Sequence, residues 1–120
     1  MLIKDVRECR PFLAIDGTVI REMLHPVETG MTIACSLAHA SLGPGESSKP
    51  HRLKTSSEIY YILGGKGTMH VGHQSADVCT GQIVFIPPGM VQYIENTGRE
   101  NLVFLCVVDP AWHEEDEEVV

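Results

Sequence analysis

Apolar residues in this chain fall in short runs, and glycine or proline closes nearly every one. The clearest run is Glu58–Leu63, EIYYIL, whose β-branched and aromatic residues favour an extended strand. Side chains alternate along a strand. Glu58, Tyr60 and Ile62 therefore share one face, and Ile59, Tyr61 and Leu63 the other. Gln82–Ile86 predicts another strand, stopped by Pro87, Pro88 and Gly89, and Val91–Ile94 returns from that corner. Asn101–Val108 predicts a long final strand with Phe104, Cys106 and Val108 on one side. Met31–Ser41, His51–Lys54, Thr68–Val71 and Asp77–Thr80 read as further strands. Asp16-Gly17 is a turn signal, Thr18–Leu24 reads as a strand or a short helix, and residues 1–11 as an edge strand or arm. Many short strands with evenly spaced corners predict an all-β sandwich or barrel, a jelly roll of two antiparallel sheets.

The chain has 120 residues, which suits one domain with one core. No apolar run approaches the ~20 residues of a membrane-spanning helix. The N-terminus, MLIKDVRECRPF, carries charges where an export signal is apolar, so a cytoplasmic protein with no membrane partner is expected. The formal charge is -7, and the tail alone supplies Glu114, Glu115, Asp116, Glu117 and Glu118. That tail is expected to be a solvated terminus. The rest of the chain is near neutral and has no basic stripe, which excludes the usual nucleic-acid footprint. Cys9, Cys35, Cys79 and Cys106 are far apart, form no CxxC pair and read as reduced thiols.

Two stretches read together carry a resemblance. Gly45, His51, Glu58 and Gly65 form the first, and Gly81, Pro87, Gly89, Gln92 and Asn96 the second. Their offsets match the two motifs of the cupin family, which the chain resembles over residues 45–96. The resemblance implies a cupin jelly-roll barrel filling residues 1–120. In it, 1–44 form the arm and first strands, 45–65 the first motif, 81–96 the second and 110–120 an acidic tail.

In metal-binding cupins two histidines and a glutamate of the first motif join a histidine of the second around a divalent metal. Leu53 stands at the second histidine position here, and Gln92 at the last. The resemblance therefore implies a reduced ligand set of His51, Glu58 and Gln92 for manganese, iron, nickel, copper or zinc. The alternative is that these residues form a metal-free polar cluster that binds an organic ligand or simply satisfies itself. Glu58 is a candidate general base. Tyr60, on the same face, is a candidate acid or ligand contact, with a packing role as the other reading. Cys106 is a nucleophile only with a base beside it and a lowered pKa, and otherwise a buried thiol. His39 either replaces the ligand missing at Leu53 or lies on the outer face, and His70 and His73 read as surface residues. Trp112 is a candidate anchor of the tail. Two function classes follow. One is a small metal-dependent enzyme, such as a dioxygenase, isomerase or lyase, acting on a sugar or carboxylic acid. The other is a metal-free module that binds or senses a small molecule. The resemblance also implies pairing as a homodimer through sheet faces and N-terminal arms.

Overall fold

A computed structural model, which describes residues 1–120, shows the two antiparallel sheets of a jelly roll. The strands are β1 (Phe12–Leu13), β2 (Val19–Leu24), β3 (Ser36–Leu42), β4 (His51–Leu53), β5 (Ser57–Gly64) and β6 (Lys66–Val71). They continue as β7 (Gln74–Cys79), β8 (Ile83–Ile86), β9 (Gln92–Asn96), β10 (Leu102–Asp109) and β11 (Glu117–Val119). One sheet runs β1-β2-β3-β10-β5-β8 and the other β11-β4-β9-β6-β7.

The alternation expected along β5 is present. Glu58, Tyr60 and Ile62 point inward, while Ile59, Tyr61 and Leu63 face out. On β10, Leu102, Phe104, Cys106 and Val108 are the buried set. Ile62, Ile86, Ile94, Leu102 and Phe104 are each at most 1% exposed and fill the space between the sheets. Burying each such side chain stabilises the fold by roughly 1.5–3 kcal/mol.

Two residues of the family motifs act on the backbone, not on a ligand. Gly65 sits at φ +85°, and a Cβ there would lie 2.6 Å from the Asn101 carbonyl oxygen, so no other residue fits without a shift. Asn96 donates from Nδ2 to the carbonyls of Leu42 and Glu100, at 3.0 and 2.8 Å, and its Oδ1 accepts from the Gly98 N–H. It ties β9 to the corner that leads into β10.

Three local expectations are refined. Val19–Leu24 is a strand, not a helix, because it pairs along β3 with Ile20 opposite Ala40. The strand expected from Met31 begins only at Ser36, since a one-turn helix, α1 (Pro26–Thr29), comes first and ends at Gly30 in the left-handed region. The N-terminal arm contains a short 3-10 turn, Val6–Glu8, capped by Asp5.

The acidic tail differs most from expectation. Glu114 and Glu115 are exposed, but the segment is not a free terminus: β11 pairs with β4, setting Glu117 opposite Leu53 and Val119 opposite His51. Asp116 is buried, and its carboxylate accepts from Thr55 N–H and Oγ1 and from Ser56 N–H. Composition marks this segment as charged, but specific donors on the β4–β5 turn satisfy its carboxylate.

Candidate functional site inside the barrel

A cavity of about 280 Å³ opens between the sheets. Hydrophobic residues supply 13 of its 21 lining positions, so it is mainly an apolar vessel with a few placed polar groups. Leu53 lines it as an apolar wall residue. The polar groups divide into two clusters.

The first cluster centres on His51, which is 2% exposed. Its Nδ1 lies 2.7 Å from the Lys49 carbonyl oxygen. A carbonyl only accepts, so Nδ1 carries a proton and Nε2 is the ring nitrogen turned toward the two carboxylates of the cluster. Nε2 faces Asp16 Oδ2 at 3.4 Å and Glu117 Oε1 at 3.9 Å. Both separations exceed the ~2.7–2.9 Å of a charge-assisted N–H···O bond. One ligand atom from each of the three side chains lies within 4.8 Å of the others. Asp16 and Glu117 are themselves fixed. Asp16 Oδ1 accepts from Thr18 N–H and Oγ1, at 3.0 and 2.7 Å, which leaves Oδ2 for the cavity. Glu117 Oε2 accepts from the Trp112 indole N–H at 2.9 Å, which leaves Oε1. Burial raises the pKa of Glu117, while the Trp112 hydrogen bond and His51 oppose the rise.

The second cluster is a hydrogen-bonded chain. Tyr60 O–H donates to Gln92 Oε1, and Gln92 Nε2 donates to Glu58 Oε1, both at 2.9 Å. Burial pushes the Glu58 carboxyl up to about 8, against the Gln92 hydrogen bond and with help from Glu117 and Asp16. Near neutral pH Glu58 is therefore largely a neutral acid. Burial and the neighbouring Glu58 also raise Tyr60 and Cys106 well above their ordinary values. A thiol in that setting is a poor nucleophile, which favours the structural reading of Cys106. The Tyr60 ring packs on Phe104 with centroids 4.6 Å apart, so the residue also serves as a packing aromatic.

Of the candidate residues singled out from sequence, His51, Glu58, Tyr60, Cys106 and Trp112 line the cavity. Gln92 is buried behind them, opposite His51 across the β4–β9 pair, with its amide oxygen turned to Tyr60. His39 lies away from the cavity, paired with Leu105 and Arg21 across the sheet. His70 is a half-buried surface residue, stacked on Tyr93 and bonded to Glu95, and His73 is exposed. The residues that sequence reasoning overlooks are Asp16 and Glu117. Asp16 hides inside a turn signal and Glu117 inside an acid run. A lone tryptophan among five acids is the one local hint of docking, since Trp112 holds Glu117 in place.

A family model for the cupin domain matches residues 38–108. This chain belongs to the cupin family. Among curated relatives, the uncharacterized protein MJ1618 of Methanocaldococcus jannaschii is 38% identical over 112 residues, covering 92% of this chain and 88% of that one. The oxalate-binding protein of Thermotoga maritima is 38% identical over 71 residues, which is 59% of each chain. Among solved structures, a predicted oxalate decarboxylase from Thermotoga maritima superposes with a TM-score of 0.81 at 27% identity, covering 91% of this chain and 99% of that one. Oxalate decarboxylase from Bacillus subtilis also reaches 0.81, at 21% identity, over 96% of this chain and 30% of that one, which is a likeness of fold.

Proposed function

We propose that this cupin holds a divalent metal at His51, Asp16 and Glu117 and uses it to bind a small oxygenated molecule inside the barrel. One observation carries the reading. His51 Nε2 and one carboxylate oxygen each from Asp16 and Glu117 converge within 4.8 Å of one another in the barrel wall. With the ring neutral these are three acceptors facing one another, and a divalent cation between them would relieve their repulsion. An imidazole with two carboxylates is a ligand set that leaves coordination positions open for a bound molecule. The hydrogen bond from His51 Nδ1 to Lys49 supplies the outer support that such a histidine ligand needs. In this reading Glu58, Gln92 and Tyr60 form the polar wall that meets the bound molecule, and Glu58 serves as a proton donor. A carboxylic acid is the favoured ligand class, in keeping with the oxalate-binding protein and the predicted oxalate decarboxylase of Thermotoga maritima.

The test is elemental analysis of protein purified without a metal-affinity tag and then dialysed against manganese, iron, nickel, copper or zinc. Near-stoichiometric metal in the wild type is expected, with loss in His51→Ala, Asp16→Asn and Glu117→Gln and retention in Glu58→Gln. Loss in Glu58→Gln with retention in Asp16→Asn would return the ligand set to His51, Glu58 and Gln92. No metal in any sample would favour a metal-free binding module.

The protein is also proposed to pair with a second copy of itself. Ile59, Tyr61 and Leu63 of β5 and Ile83 and Phe85 of β8 are all exposed on one outer face, and none is charged. A chain of net charge -7 approaches its like most easily through such a face.

A further inference from the structure

The chemistry of the cavity wall narrows the ligand class, and this step rests on the metal reading of His51, Asp16 and Glu117. The lining includes five carboxyl side chains, Asp16, Glu22, Glu58, Glu114 and Glu117, and not one lysine or arginine. The cationic residues nearby are engaged elsewhere. Arg52 points out and pairs with Glu118, and Arg21 donates to the carbonyls of Val6 and Cys9. A divalent cation with two carboxylates and a neutral imidazole makes a centre of zero net charge. One anionic head on that centre leaves a single negative charge. A second anionic group would enter a low-dielectric wall that has nothing to pair with it. The remaining wall is apolar, built from residues such as Ile20, Ala38, Ala40, Phe104 and Val108. The approach is apolar too, with Phe12, Leu13 and Ile15 48%, 71% and 56% exposed.

We infer that the ligand is a monoanionic chelator with an apolar body: a carboxylate flanked by a keto or hydroxyl oxygen at one end and a hydrocarbon chain at the other. A compact dianion such as oxalate fits this wall poorly, although related proteins carry oxalate in their names. The head would occupy the open metal positions and take a hydrogen bond from Glu58, while the hydrocarbon would cover Ile20, Phe104 and Leu13. Each methylene so buried leaves water for an apolar wall and tightens binding. Volume agrees with this. Liquid water takes ~30 Å³ per molecule, so the cavity of about 280 Å³ is far roomier than oxalate, with its six heavy atoms, requires.

The experiment is calorimetric titration of zinc-loaded protein with oxalate, with pyruvate and with 4-methyl-2-oxopentanoate, after zinc uptake itself has been measured. The branched oxo acid is expected to bind at least tenfold more tightly than oxalate, with pyruvate between them. Leu13→Arg places a cation at an exposed rim position, where folding is not at stake. It should reverse the order by strengthening oxalate and weakening the branched acid. Zinc uptake with equal or tighter oxalate binding overturns this inference alone. Failure to take up zinc, and equally manganese, iron, nickel and copper, removes the metal reading and this inference with it. Reversal in Leu13→Arg that is absent in Leu13→Ala ties the selectivity to charge.

Discussion

Glu58 shows how burial sets the chemistry of one side chain. Its folded pKa of about 8 lies above the ordinary glutamate value of 4.5. The folded state therefore binds more protons than the unfolded chain between those limits, and stability falls as pH rises through that window. Glu58→Gln keeps a polar group beside Gln92 and has no proton to lose. Urea unfolding of the metal-free protein between pH 5 and 8.5 should show a declining free energy in the wild type and a flatter profile in Glu58→Gln. Asp116 has the opposite sign. Burial disfavours its charge, but the hydrogen bonds from Thr55 and Ser56 outweigh that and hold its carboxyl below the usual range. Its contribution is present above the unfolded value and is lost as pH falls through the folded one. Asp116→Ala strands the donors on Thr55 and Ser56 and should cost about 2–3 kcal/mol in urea melts at neutral pH.

At the scale of elements, β11 is the piece that the chain's pattern conceals. β5 and β10 are legible because each is a long alternating run, with its burial written into every second residue. Gly65 and Asn96 are legible as motif positions, and the structure supplies their reason in a crowded corner and a tied turn. β11 is three residues of EEV, with no alternation to read and two residues of low strand preference. Its pairing with β4 depends on side chains more than 60 positions away in sequence, such as Thr55 to Asp116. The site divides in the same way. His51 and Glu58 stand at motif offsets, whereas Asp16 and Glu117 arrive from the first turn and the last strand. Removing residues 111–120 should lower the melting temperature by more than ~5 °C and abolish metal uptake. Unchanged melting would mean that the segment merely lies on the barrel.

For the whole molecule, the two sheets have unlike outer surfaces. The face carrying Tyr61 and Phe85 presents exposed apolar side chains beside β8, which ends its sheet. Edge strands with apolar neighbours are usually covered. Light scattering at micromolar concentration should give the mass of a dimer, and Phe85→Glu should shift it toward the monomer without altering metal content. Scattering from a monomer in the wild type would remove the proposed partner and leave the cavity untouched.

Trp112 is the only tryptophan in the chain, and its indole N–H is bonded to Glu117. The molecule thus carries its own fluorophore one hydrogen bond from the proposed metal centre. Emission on refolding reports the arrival of the final strand, while circular dichroism reports the sheets. A single-domain chain folding cooperatively should give coincident traces. Because Asp16 and Glu117 must meet across about a hundred intervening residues, a cost that rises only slowly with loop length, the emission change marks the moment when the whole chain has closed on itself. Metal added after that moment should alter the tryptophan signal within its binding time. Metal added to the unfolded chain should leave that signal unchanged until folding is complete.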